Sequence, residues 1–159
     1  MLLLAPPALM APPPTVDHVD LARYMGEWFE IARLPNPFQR RCARTTARYI
    51  LGQDLHFKVV NGCITPEGEH LEAQGRARVV DLATGARIKL TFFWPFYGDY
   101  WILGLDPDYR WALVGTPDRK YLWVISRTES MDPALLDRIL DRARELGYDL
   151  GLLIRNQPR

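Results

Sequence analysis

Asp20 to Arg33, DLARYMGEWFEIAR, is the stretch whose reading decides the fold. Leu21, Tyr24 and Met25 stand at near-helical spacing, which predicts one turn of helix ending at Gly26. Lacking a side chain, Gly26 permits a tight entry into an extended segment. From Trp28 the chain alternates, with Trp28, Glu30, Ala32 and Leu34 on one face and Phe29, Ile31 and Arg33 on the other. Both faces carry apolar residues, so this strand is predicted to be covered on one side and to line an interior on the other.

Downstream, strand-like segments follow one another through short turns. After Gly26–Leu34 they are Thr45–Leu51, Leu55–Cys63, Leu71–Asp81, Arg87–Phe93, Asp99–Asp106, Trp111–Thr116 and Tyr121–Arg127. Gly52-Gln53, Ala83-Thr84-Gly85, Pro107-Asp108 and Pro117-Asp118 supply turn chemistry between them. Phe93–Gly98, FWPFYG, reads as an aromatic loop. Consecutive strands usually pair, and eight of them close into an antiparallel up-and-down barrel that removes exposed edges. A two-sheet sandwich is the competing all-β arrangement. Asp132-Pro133 then reads as N-cap and first helical residue. Leu135, Leu136, Ile139, Leu140, Ala143 and Leu146 form one apolar stripe that ends at Gly147. This helix is expected on the outer wall, and Leu152–Ile154 as a short last strand.

The 159 residues make one domain, read as a barrel over 20–155 with a leader at 1–19 and a tail at 156–159. Net charge is +1 and no basic block is present, so a nucleic-acid partner is not expected. The leader joins Leu2–Leu4 and Ala8–Ala11 to a run of prolines without a preceding Lys or Arg. It is too short and interrupted for a membrane span. A truncated or atypical export signal and a disordered Pro-rich tail are its two readings; the first implies the periplasm or outer membrane. No Cys stands in a lipid-anchor box. Monomer and homodimer are both compatible with the sequence.

Three separated signatures give this pattern a family likeness. Gly26-Glu27-Trp28 after a helical turn resembles the first signature of the lipocalins. Asp106-Pro107-Asp108-Tyr109 resembles the second, with Leu105 where a Thr is usual. Trp123–Arg127, WVISR, resembles the third, whose Arg covers the barrel base. GEWFEIARLPN, FYGDYWILGLD and KYLWVISRT resemble in particular the bacterial outer-membrane lipocalins and apolipoprotein D. The resemblance covers Val16 to Leu153 and implies a carrier of lysophospholipids, fatty acids or similar amphiphiles, often associated with a membrane. It also implies that Trp28 lies beneath the Arg127 guanidinium, joining the first strand to the last.

Alternation extended from Trp28 and Trp123 gives the inward candidates: Glu30, Ala32, Leu34, Ala47, Tyr49, Phe57, Val59, Asn61, Leu71, Ala73, Ala77, Leu90, Phe92, Trp94, Tyr100, Ile102, Val114, Tyr121, Trp123 and Ile125. Most are apolar, with small ones facing large ones, as a lipophilic pocket needs. A core filled by side chains fits the composition as well; the family resemblance favours the cavity. Asn36-Pro37-Phe38 and Phe93–Tyr97 are expected to frame its mouth. Glu30 is the charge expected inside, either bonded near Arg127 or a Tyr, or set to orient a polar headgroup.

No metal-ligand spacing links His18, His56 and His70, and neither a nucleophile elbow nor a phosphate loop appears, so no cofactor, metal or catalytic residue is assigned. A lipid-modifying enzyme using a pocket-facing Cys63 is the alternative to carriage, and an interaction module a third reading. Gly52-Gln53 taken as a two-residue hairpin loop sets Cys42 opposite Cys63. The shared inward face of Tyr49 and Phe57 contradicts that register unless a bulge intervenes. A Cys42–Cys63 disulfide and two separate thiols therefore both stand.

Overall fold

In a computed structural model that describes residues 10–93 and 96–156, the opening turn and strand form where their spacing places them. Asp20 caps a single turn, α1 (Leu21–Tyr24), by accepting the Arg23 backbone N–H. Gly26 then turns the chain with φ +96°, and a Cβ there would stand 3.3 Å from Arg127 Nη1. That conformation and that contact both favour glycine.

Eight strands follow: β1 (Gly26–Arg33), β2 (Arg44–Leu51), β3 (His56–Ile64), β4 (His70–Val79), β5 (Arg87–Phe93), β6 (Phe96–Leu105), β7 (Trp111–Gly115) and β8 (Leu122–Ser126). Each pairs antiparallel with the next, and β1 pairs with both β8 and β2, so the sheet closes on itself. The fold is the all-β up-and-down barrel, with helix α2 (Pro133–Glu145) outside and a short ninth strand, β9 (Ile154–Arg155), added to β1.

Four details differ from the alternation and turn signals. In β1 a bulge intervenes between Glu30, opposite Ile125, and Ala32, opposite Val124. Beyond it every side chain changes face, because one extra residue reverses a period of two. Between β2 and β3 the register pairs Leu51 with Phe57, and four residues, 52–55, separate the strands instead of two. Asp54 and Leu55 take left-handed φ of 52° and 60° in that loop. The aromatic stretch is mostly strand: Phe93 lies opposite Phe96, so β6 starts three residues earlier than its Gly-flanked segment suggests. The last strand lies slightly later than expected, at Ile154–Arg155.

Two cores result. Inside the barrel, Trp28, Tyr49, Phe57, Val59, Ile88, Ile102 and Val114 pack with Leu21 and Tyr24 of the plugging turn. Outside, Leu136, Ile139, Leu140 and Ala143 of α2 cover Ile31, Leu103, Leu113, Leu122 and Val124. Burial of such a side chain contributes about 1.5–3 kcal/mol, so α2 is held mainly by its apolar stripe. Asp132 accepts the Ala134 N–H at 3.1 Å and starts it. Within the stretch assigned to the leader, Pro13 is buried, Val16 N–H donates to Ile102 O (3.0 Å) and Val19 N–H to Thr84 O (2.8 Å). Residues 1–9 lie outside the described residues.

Candidate functional site

The barrel is closed below by aromatic rings. The Trp28 indole N–H donates to Tyr24 O at 2.8 Å, and Arg127 lies over the Trp28 ring at 3.8 Å. The same guanidinium donates to the backbone oxygens of Arg23, Met25, Glu27 and Tyr109, at 2.8–3.1 Å. It thus ties α1, β1 and the β6–β7 turn to the end of β8. In that turn Asp106 Oδ2 accepts from Arg110 N (3.1 Å) and Nε (2.9 Å). The hydrogen bond from the Arg110 side chain draws the Asp106 carboxyl below its ordinary value. Tyr109 is buried, and its hydroxyl accepts the Asp20 N–H at 2.8 Å.

Above Trp28 sits a triad of phenols. The Tyr100 hydroxyl meets those of Tyr24 at 2.6 Å and Tyr49 at 2.9 Å. Burial raises all three: Tyr24 and Tyr100 well above the ordinary value, Tyr49 to about 12. Higher still, Tyr49, Phe57, Val59, Ala77, Ile88, Leu90 and Tyr100 pack around a gap that leaves no room for a water molecule.

Exposure changes along the inner wall. Tyr49, Phe57, Val59, Ala77, Tyr100, Ile102, Val114 and Ile125 are buried. Ala47, Asn61, Leu71, Leu90, Phe92, Tyr121 and Trp123 are half-buried, and Ala73 is exposed although register places it on the inner face opposite Asn61. An inward alanine can meet solvent only if the barrel is open at that level. The Phe92 ring lies across Gly75, 2.9 Å from where a Cβ would stand, so the small residues of β4 make room for β5 aromatics.

Ala32 and Leu34 do not join this interior. The β1 bulge carries them to the outer core beneath α2. It carries Arg33 inward in exchange, opposite Trp123. Trp94 lies outside the described residues.

Arg33 answers the question of Glu30. Its Nη1 donates to Glu30 Oε2 at 2.7 Å, with both side chains almost wholly buried. Glu30 also accepts from Gln39 Nε2 (2.8 Å) and Asn156 Nδ2 (2.9 Å), so its partner is Arg33 and not Arg127 or a tyrosine. Arg33 Nη2 donates to Gln39 O and Cys42 O, while its Nε–H has no acceptor among the described residues. Gln39 Oε1 accepts the Trp123 indole N–H at 2.9 Å and Asn36 Nδ2 at 2.6 Å, which links the network to the mouth. Phe38 beside it is 81% exposed at the lip. Arg33, Gln39 and Asn156 were missed by alternation alone. Their signal was weak: a second charge three residues from Glu30, and polar residues in segments read as loop and tail.

Where β1 and β2 part above Phe29 and Thr46, a side opening of about 350 Å³ passes between them. Its walls include inward Thr45, Cys63 and Leu71 and outward Thr46, Gly62 and Glu72, with Glu30 and Asn156 at its inner edge.

Cys42 and Cys63 form a disulfide with Cα atoms 5.4 Å apart. The register does not oppose them, since Thr45 faces Cys63; the loop before β2 folds back to bring Cys42 within reach. The bonded Cys63 offers no thiol, so the enzymatic alternative lacks its nucleophile. Among the described residues no group of three His, Cys, Asp or Glu side chains converges to hold a metal.

Comparison with known proteins agrees with this architecture. The family described as lipocalin-like domain matches residues 19–158. The outer membrane lipoprotein Blc of Vibrio cholerae is 38% identical over 146 residues, covering 91% of this chain and 85% of that protein. Apolipoprotein D of Mus musculus is 26% identical over 148 residues, covering 87% of this chain and 76% of that protein. Among solved structures, insecticyanin from the tobacco hornworm Manduca sexta has a TM-score of 0.74 at 21% identity, covering 94% of this chain and 85% of that chain, a likeness of fold.

Proposed function

This chain belongs to the lipocalin family, whose members bind small hydrophobic ligands, and we propose that its barrel carries single-chain amphiphiles, lysophospholipid ahead of free fatty acid. The tail points towards Trp28 and the head lies at the mouth. The observation that carries this reading is the gradient of the inner wall: buried aromatic floor, half-buried apolar middle, exposed Ala73. Burying a chain contributes about 0.8 kcal/mol per CH₂, so several methylenes give micromolar binding after the cost of immobilisation. The charge arrangement supports a lysophospholipid over a fatty acid. Arg33 is matched by Glu30 and Arg127 by backbone oxygens, so no uncommitted cation awaits a lone carboxylate among the described inner residues. The Arg33 Nε–H is a donor suited to an ester or phosphate oxygen. The sequence likeness to the outer membrane lipoprotein Blc supports action in the cell envelope, in the periplasm or at the outer membrane.

The test is a titration of intrinsic tryptophan fluorescence with lysophospholipids of increasing chain length below their micelle concentrations, in wild type and Trp123→Phe. Affinity should rise with each methylene and the signal should fall in the variant. Affinity flat with chain length would sink the acyl-pocket reading.

A further inference from the structure

Residues directly opposite each other on a sheet face interact, and like charges in that position repel. On the outer face of β3, β4 and β5 the register nonetheless sets Lys58 opposite Arg76 and Arg78 opposite Lys89. Lys89 has a carboxylate partner, Asp99 on β6. Among the described residues Lys58, Arg76 and Arg78 have no ion pair; Arg78 lies over the Tyr97 ring at 5.5 Å. All three are exposed. Of the acidic residues that could neutralise such a row, Asp54 and Asp81 stand in the adjoining turns, where Asp81 is engaged by Thr84 and Arg87, and five others stand along or beside α2 at Asp132, Asp137, Asp141, Glu145 and Asp149.

The row ends in apolar tips. Ile50, opposite Lys58, and Leu51 and Leu55 crown the β2–β3 loop, with Val80 and Leu82 on the neighbouring β4–β5 turn; these five are 42–75% exposed. Leu55 O accepts the Val79 N–H at 3.1 Å, so the two tips are joined. All lie at the closed end, away from the mouth.

We infer that this face docks on an anionic phospholipid surface, Lys58, Arg76 and Arg78 meeting lipid phosphates while the leucine and valine tips enter the interface. Exposed aliphatic side chains beside unpaired cations are the composition of an interfacial membrane contact. A single-stranded nucleic acid would call for aromatic stacking platforms instead, and the tips are aliphatic. Docked this way, the closed end meets the bilayer and the mouth opens away from it, towards the aqueous side. The inference stands on the outer face and does not depend on what fills the barrel.

Cosedimentation with vesicles tests it, using phosphatidylcholine alone and phosphatidylcholine mixed with phosphatidylglycerol, at low and high salt. The protein should bind the mixed vesicles, more weakly as salt rises. The combined variant Lys58→Gln, Arg76→Gln, Arg78→Gln should bind on the order of a hundredfold more weakly, since each cation near such a surface contributes roughly fivefold. Leu82→Ser should reduce the binding that survives high salt. Arg138→Gln, Arg142→Gln, Arg144→Gln on α2 removes the same charge from the other side and should leave vesicle binding unchanged. In every variant, thermal melting and lysophospholipid titration report whether fold and pocket are intact. Equal binding to phosphatidylcholine alone, equal loss in the two triple variants, or tighter binding to single-stranded RNA than to mixed vesicles at the same salt would each overturn the inference.

Discussion

Glu30 and Arg33 show how one residue's neighbours decide its meaning. A lone carboxylate inside an apolar barrel would be a binding group or a liability; bonded by Arg33, Gln39 and Asn156 it anchors β1 to the mouth loop and to the chain's C-terminal segment. Removing one partner of a buried pair leaves the other charge unmatched, at a cost of about 3–5 kcal/mol, whereas replacing both is far milder. Glu30→Leu should therefore lower the urea midpoint sharply, and Glu30→Leu with Arg33→Met should recover much of the loss. Additive effects of the two single changes would show that the pair is not coupled. The phenols make a second residue-level case. Tyr49 titrates near 12 in the folded chain against 10.0 ordinarily, because burial disfavours its anion. Below pH 10 its contribution is fully present. Between 10 and 12 the unfolded chain releases a proton that the folded chain keeps, so stability falls with rising pH. Over that window Tyr49 accounts for about 2–3 kcal/mol. Urea unfolding across it should show a shallower decline in Tyr49→Phe than in wild type, and equal slopes would contradict the buried triad.

At the scale of elements, what the sequence revealed and what it hid divide along the regularity of the backbone. Alternation on β3 and β4 and the apolar stripe of α2 are periodic, and their inward or covered faces were legible: Phe57, Val59, Leu136 and Ile139 sit where period and spacing put them. The bulge in β1 is one extra residue with no side-chain signature, so alternation sets Ala32, Leu34 and Arg33 on the wrong faces. Asp54 and Leu55 hid the β2–β3 loop because left-handed φ at Leu is unusual, and Gly52-Gln53 offered a simpler turn. The aromatic stretch masked the tight approach of β5 to β6. The disulfide belongs here as well, because it fastens the loop after β1 to β3 across a sequence separation of 21. Closing a loop of that length in the unfolded chain is worth about 3 kcal/mol in the chain-entropy account. The paired change Cys42→Ser, Cys63→Ser should cost about that much and raise hydrogen exchange in 35–43, where Cys42 O also accepts from Arg33. Exchange unchanged in that loop would mean the ion-pair network alone holds it.

For the whole molecule, closure of the barrel was the most legible property, because eight strand-like segments joined by short turns leave little else to do with their edges. The depth of the cup was not legible, since it depends on which rings meet above Trp28 and how closely. The Tyr24, Tyr49 and Tyr100 hydroxyls lock the floor, and Phe57 stands edge-on to Tyr49 with ring centroids 5.6 Å apart. The gap beside them has no room for a water molecule, so the described floor limits how far a tail can descend. Phe57→Ala should deepen the cup. The change carries a cost of about 3–5 kcal/mol for the lost burial and the cavity. Each methylene newly received then adds about 0.8 kcal/mol to binding. A series of lysophospholipids should accordingly show its affinity plateau at longer chains in Phe57→Ala than in wild type, with short chains bound no better. Val60→Ala, on the outer face of the same strand, controls for general loosening and should leave the plateau where it is. If Phe57→Ala and wild type level off at the same chain length, the tail does not reach the aromatic floor, and the amphiphile lies higher, between Trp123 and the half-buried residues of β3 and β4.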